Sequence, residues 1–121
     1  MLKPGIAIFR SFDKELARAF YVDYLGFSWD SEHQFGPNAP IYAMLSRDGC
    51  TLHLSEHYGD ATPGSSMVVE IGDADAFLAD LRSRGHPNAN PDIQELPWGR
   101  QVKVADPFGN TLSFVEPKAT T

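Results

Sequence analysis

Two stretches of the chain alternate apolar and polar residues with a period of two. In residues 101–105, Val102 and Val104 point one way and Gln101 and Lys103 the other. In residues 111–115, Leu112 and Phe114 share one face, and Thr111 and Ser113 the opposite one. This is strand patterning. Between them, Asp106-Pro107-Phe108-Gly109-Asn110 has the chemistry of a turn, with proline presetting φ and glycine free to take φ > 0. The segment Gly49-Cys50-Thr51-Leu52-His53-Leu54-Ser55-Glu56 repeats Gly109-Asn110-Thr111-Leu112-Ser113-Phe114-Val115-Glu116 at a constant offset of 60, with Gly, Thr, Leu and Glu identical. The same offset sets Tyr42 and Met44 against Val102 and Val104. A solenoid needs about three repeats, so two copies predict a two-module domain made by duplication.

The remaining pattern has the same order in both halves. Residues 6–9 are an apolar run suited to a strand, and Ser11-Phe12-Asp13 offers N-caps for a helix to about Leu25. Leu16, Phe20 and Tyr24 stand four apart, with Ala17 and Tyr21 beside them, giving one apolar stripe closed by Gly26. A strand is expected over residues 27–30, an irregular segment over 31–40, and a hairpin over 41–55 turning at Arg47-Asp48-Gly49. Residues 57–64 read as a connector. Residues 67–71 form another apolar strand, Gly72-Asp73 a helix start, and Phe77, Leu78 and Leu81 an inward stripe closed by Gly85. Residues 86–96, with Pro87 and Pro91, hold a short strand and a loop; the tail after Glu116 reads as a frayed end.

Composition narrows the function. A chain of 121 residues, 42% hydrophobic and 12% aromatic, can bury a core as one domain without staples. Its net charge of −6 argues against nucleic acid, which calls for clustered Lys and Arg; an acidic surface commonly serves solubility and also attracts cationic ligands. The one cysteine, Cys50, excludes an intrachain disulfide and fits a reducing cytoplasm. No stretch approaches the ~20 apolar residues of a membrane span, and the N-terminus begins no signal-peptide run.

Phe20-Tyr21-x-x-Tyr24-Leu25-Gly26-Phe27, the duplicated βαβββ order and the Asp106-Pro107-x-Gly109-Asn110 turn resemble the vicinal oxygen chelate superfamily, which includes glyoxalase I and bleomycin resistance proteins. Pro97-Trp98-Gly99-Arg100 ahead of that turn is similar to the bleomycin-resistance branch, as is residues 52–57. The resemblance implies an α+β fold: two tandem βαβββ modules, about 1–60 and about 61–117, forming a cup-shaped mixed sheet with helices outside. It also implies a homodimer, often exchanging the N-terminal strand, with two clefts at the interface. Metal-dependent members would place ligands at Ile6, His53, Ser66 and Ser113. Only His53 binds a metal well, whereas a catalytic centre needs about three protein ligands, so no metal or other cofactor is expected.

The spacing His53-x-x-Glu56-His57 spells an inverted zinc-protease motif, but in an extended strand the two histidines would stand roughly 13 Å apart. Candidate ligand-binding residues are Trp98, Arg100, Phe35, His53, Glu70 and Ser113. Trp98, held between Pro97 and Gly99 at a strand entrance, is read as a ligand contact, with a core position as the alternative. Arg100 either meets a ligand or pairs with a carboxylate, and Phe35, in a Gly/Pro-bounded loop, either closes over a ligand or anchors the loop. Glu70 shares a face with Ser66 and Val68, where a carboxylate is either paired structurally, the favoured reading, or meets a cation. Trp29 reads as partial core. Asp106, Pro107 and Gly109 read as turn builders, and Cys50 has no evident activation. The leading expectation is a non-catalytic protein that sequesters bleomycin-family glycopeptides. The alternatives are a metal-dependent lyase, isomerase or dioxygenase of the same superfamily, or a binder of some other small molecule.

Overall fold

The computed structural model describes residues 1–118. The first unit is strand β1 (Ala7–Arg10), helix α1 (Lys14–Arg18), and strands β2 (Ser28–Gln34), β3 (Ile41–Arg47) and β4 (Cys50–Ser55). The second is β5 (Ser66–Glu70), α2 (Ala74–Arg84), β6 (Ile93–Leu96), β7 (Gly99–Ala105) and β8 (Thr111–Pro117). Each makes a four-stranded mixed sheet, in the orders β1-β4-β3-β2 and β5-β8-β7-β6. The first strand of each unit runs parallel to the last, and the other pairs are antiparallel. The chain therefore has the expected α+β class and the doubled βαβββ order.

Local chemistry accounts for the helix ends. The Asp13 carboxylate accepts the Leu16 N–H at 3.0 Å, and Asp73 accepts the Ala76 N–H at 3.0 Å, each satisfying an otherwise unpaired donor of the first turn. These N-caps keep the offset of 60. Gly26 and Gly85 follow the helices at φ +76 and +71. Helix α1 runs on as a π-helical stretch (Ala19–Tyr24), in which the Leu25 N–H reaches back five residues to the Phe20 carbonyl. Ala17, Phe20, Tyr21 and Tyr24 make the buried stripe, and Leu16, at its edge, is 52% exposed.

Two further expectations are corrected. Strand β2 continues to Gln34, so only residues 35–40 are irregular on that side. Pairing with β3, across a register shift between Trp29 and Ser31, overrides the polar composition of residues 30–34. Tyr42 and Met44 are not equivalent to Val102 and Val104. In the register, Leu45 faces Leu52 as Val104 faces Leu112, so the offset becomes 59 on the far side of the turn. The first turn holds only Asp48 and Gly49, at φ 49 and 82, as two-residue hairpins require. The one-residue difference flips every side chain of β3 relative to the repeat. Ala43 and Leu45 are buried, and Tyr42 and Met44 face outward.

One apolar cluster joins the units: Phe9, Phe20, Leu45 and Leu52 pack with Leu81, Val102, Leu112 and Phe114. A polar knot ties them as well. Asp106, buried in the turn, accepts the Tyr21 hydroxyl at 2.6 Å, the Asn110 side-chain amide at 2.8 Å, and the Phe108 and Asn110 N–H groups at 2.9 and 2.8 Å. The Asn110 amide also donates to the Arg10 carbonyl of β1. The turn builder Asp106 thus anchors the second unit to the first. Among the described residues no helix is long and apolar enough to cross a membrane.

Candidate functional site

Because Phe9, Ala43, Leu45, Leu52 and Leu54 fill the core, the alternate residues of the first sheet form an open face. On it, β4 presents His53, β3 presents Tyr42 and Met44, and β1 presents Ile8 and Arg10, as the strand register requires. The Tyr42 hydroxyl and His53 Nδ1 share a hydrogen bond of 2.7 Å. Burial, then the nearby Asp60 carboxylate, pushes the Tyr42 phenol above its ordinary range, which keeps its proton available to donate. His33 lies across from Tyr42 in register. The Phe35 ring stands edge-on to His33 at 4.3 Å and to His57 at 6.2 Å. A row of aromatic and imidazole rings, Phe35, His33, Tyr42 and His53, therefore crosses this face. Beside it, Arg10 lies over the rings of Phe12 (4.9 Å) and Tyr58 (5.9 Å) and donates to the His57 carbonyl.

The open face of the second sheet is built likewise, opposite Val102, Val104, Leu112 and Phe114. It carries Ser66, Val68 and Glu70 on β5, Ser113 on β8, and Gln101 and Lys103 on β7. Among the described residues Glu70 has no ion-pair partner.

The candidates therefore separate. Phe35 and His53 share the first open face, while Glu70 and Ser113 share the second. Trp98 occupies the Pro97-Trp98 turn between β6 and β7 and is 64% exposed, so it is not core. Its carbonyl accepts the Lys118 N–H at 2.9 Å. Gly99 is packed so tightly on β8 that a Cβ there would collide with the Glu116 carbonyl oxygen. Arg100 lies elsewhere: it shares the helix side with Val102 and is held by Asp75 at 2.7 and 3.2 Å and by Glu95 at 3.1 Å. These hydrogen bonds hold its guanidinium above, and the Asp75 carboxyl below, their ordinary ranges. Strand parity carries this signal, since Arg100, Val102 and Val104 must share a face. The same counting from Ala43 and Leu45 finds Tyr42, which the repeat concealed.

The zinc-protease spacing has no helix beneath it. His53 lies in β4, Glu56 accepts the Ile41 N–H at 3.0 Å, and His57 packs on Phe35. At the four positions matched to metal-dependent relatives, Ile6, His53, Ser66 and Ser113 offer one imidazole. Among the described residues no three His, Cys, Asp or Glu side chains gather as a metal group. This donor set does not fit a catalytic divalent metal.

The family model described as glyoxalase superfamily protein matches residues 1–121. The chain belongs to the glyoxalase superfamily. Among solved structures, this glyoxalase-superfamily chain is similar to the bleomycin-binding protein of Streptomyces verticillus complexed with copper(II)-bleomycin. That match has 29% identity and TM-score 0.68, covering 98% of this chain and 100% of that one. TnmS3, an antibiotic binding protein from Streptomyces sp. CB03234, matches at 26% identity and TM-score 0.71, covering 98% and 99%. A glyoxylase/bleomycin resistance protein/dioxygenase domain from Frankia sp. EAN1pec, at 16% identity and TM-score 0.75 over 98% and 99%, shares the fold. A search of curated proteins returns no match.

Proposed function

We propose that this protein is a non-catalytic binder of bleomycin-family glycopeptides, acting by stoichiometric sequestration in the cytoplasm. Two copies pair so that the first open face of one lies across the second open face of the other, giving two clefts. The observation that carries the reading is the row Phe35, His33, Tyr42 and His53 on a face without the donors of a catalytic metal. Flat heteroaromatic rings of such a ligand stack on Phe35 and Trp98. Its cationic tail meets Glu70, with Ser113 as a hydrogen-bonding neighbour, and the net charge of −6 steers it in. The likeness to bleomycin-binding and antibiotic-binding proteins at 29% and 26% identity supports the ligand class.

Fluorescence titration tests the proposal. Trp29→Phe leaves Trp98 as the one indole, and added bleomycin should quench it saturably. An unchanged spectrum at ligand excess, with Trp98 exposed as it is, would remove Trp98 from the cleft.

A further inference from the structure

A concavity of about 400 Å³ lies at the junction of the two units, between the end of the β3–β4 hairpin and the start of α2. That size falls in the range of small-molecule sites, roughly 300–1,000 Å³. Its floor is apolar, made of Phe27, Val69, Phe77 and Phe114 from the core side of both units. Its rim is acidic, with Asp48, Glu70, Asp73 and Asp80 against a single guanidinium, Arg47.

Arg47 is already committed. It donates to the Leu25 carbonyl at 2.6 Å and to Asp80 at 3.3 Å, and lies over the Phe77 ring at 5.4 Å. Asp80 also receives Arg84 at 3.0 Å, so its charge is compensated. Asp73 caps α2, where it offsets the partial positive charge of the helix N-terminus. Asp48 and Glu70 remain in excess: the Asp48 side chain is 90% exposed with only a 3.6 Å approach from Arg47, and Glu70 has no ion-pair partner among the described residues.

An apolar floor below uncompensated carboxylates selects an apolar body that carries a protonated amine. We infer that this concavity is a second small-molecule site, which takes an aromatic amine cation. Its floor lies on the core side of the sheets, while Glu70, at the end of β5, borders both this concavity and the antibiotic cleft, so Asp48 is the carboxylate particular to this site.

Cys50 lines the concavity and is the chain's one thiol, which makes its reactivity a local reporter. Burial pushes that thiol up, so alkylation by the neutral reagent N-ethylmaleimide is slow enough to follow by mass spectrometry on the native protein. Tryptamine should slow alkylation saturably, by about threefold at twice its dissociation constant. Indole-3-acetate, with the same ring and opposite charge, should leave the rate unchanged. In Asp48→Asn/Glu70→Gln, tryptamine protection should be lost while the melting curve stays near wild type; asparagine tolerates the positive φ at position 48. Asp48→Asn alone should leave bleomycin titration as it was. Equal protection by indole-3-acetate, no protection by tryptamine up to its solubility, or full protection in the double variant would each overturn the inference.

Discussion

Replacing Tyr21 with phenylalanine tests how the two units are joined. The Tyr21 side chain is fully buried, and its hydroxyl donates to the Asp106 carboxylate at 2.6 Å. The substitution removes one of four donors from Asp106. The Phe108 and Asn110 N–H groups and the Asn110 amide remain, so the charge is not abandoned. A hydrogen bond to a charged group contributes about 1.5–3 kcal/mol, which sets the expected loss. With unfolding entropy near 2.1 cal/mol/K per residue, a chain of 121 residues loses about 4 °C per kcal/mol, so Tm should fall by roughly 6–12 °C. Equilibrium urea unfolding at fixed protein concentration reads the change directly, with the m-value unaltered. A loss below about 0.5 kcal/mol, the size of a neutral surface change, would refute the view that this bond couples the units.

The same residue sets an alkaline limit. Burial first, then the charge and hydrogen bond of Asp106, push the Tyr21 phenol well above its ordinary value near 10. Below pH 10 both folded and unfolded chains keep the proton, and this group's contribution is fully present. Above pH 10 the unfolded chain releases it while the folded one does not. Stability should then fall by up to about 1.4 kcal/mol per pH unit for this group until the folded phenol also titrates. Tyr21→Phe should flatten that part of the slope, while Tyr24 and Tyr42, also raised by burial, retain theirs.

Three further outcomes are expected. Trp98→Ala should weaken bleomycin binding by about 1–3 kcal/mol in a titration while changing Tm little, because the indole is exposed; the reverse pattern would make Trp98 structural. Gly99→Ala should cost about 1–3 kcal/mol in urea unfolding, because its Cβ meets the β8 backbone rather than a side chain that can move. Sedimentation at micromolar concentration should give twice the 13.4 kDa chain mass, and a purely monomeric profile would remove the paired clefts.

What could be read from the sequence was what local chemistry decides. Asp13, Asp73, Gly26 and Gly85 mark helix ends because caps and positive-φ stops act within one turn. The period-two runs at residues 101–105 and 111–115 gave β7 and β8. The offset of 60 gave the duplicated order, but it was carried one residue too far across a hairpin, where turn length decides parity. Tyr42 was therefore missed as a companion of His53. Of the two readings of Arg100, strand parity favours the carboxylate pairing, seen with Asp75 and Glu95. Leu16 falls at the edge of the stripe because the buried positions Ala17, Phe20, Tyr21 and Tyr24 centre the helix face away from it. The bond from Tyr21 to Asp106 spans 85 residues and lies beyond local patterning altogether.

The central claim is binding without turnover, and calorimetric titration of the tag-free protein with bleomycin tests it most directly. The predicted result is a saturable isotherm with one ligand per chain, unchanged by prior chelator treatment, and recovery of the ligand at its original mass. Absence of binding heat at ligand excess, chemically altered ligand, or binding that requires near-stoichiometric protein-bound metal would contradict it.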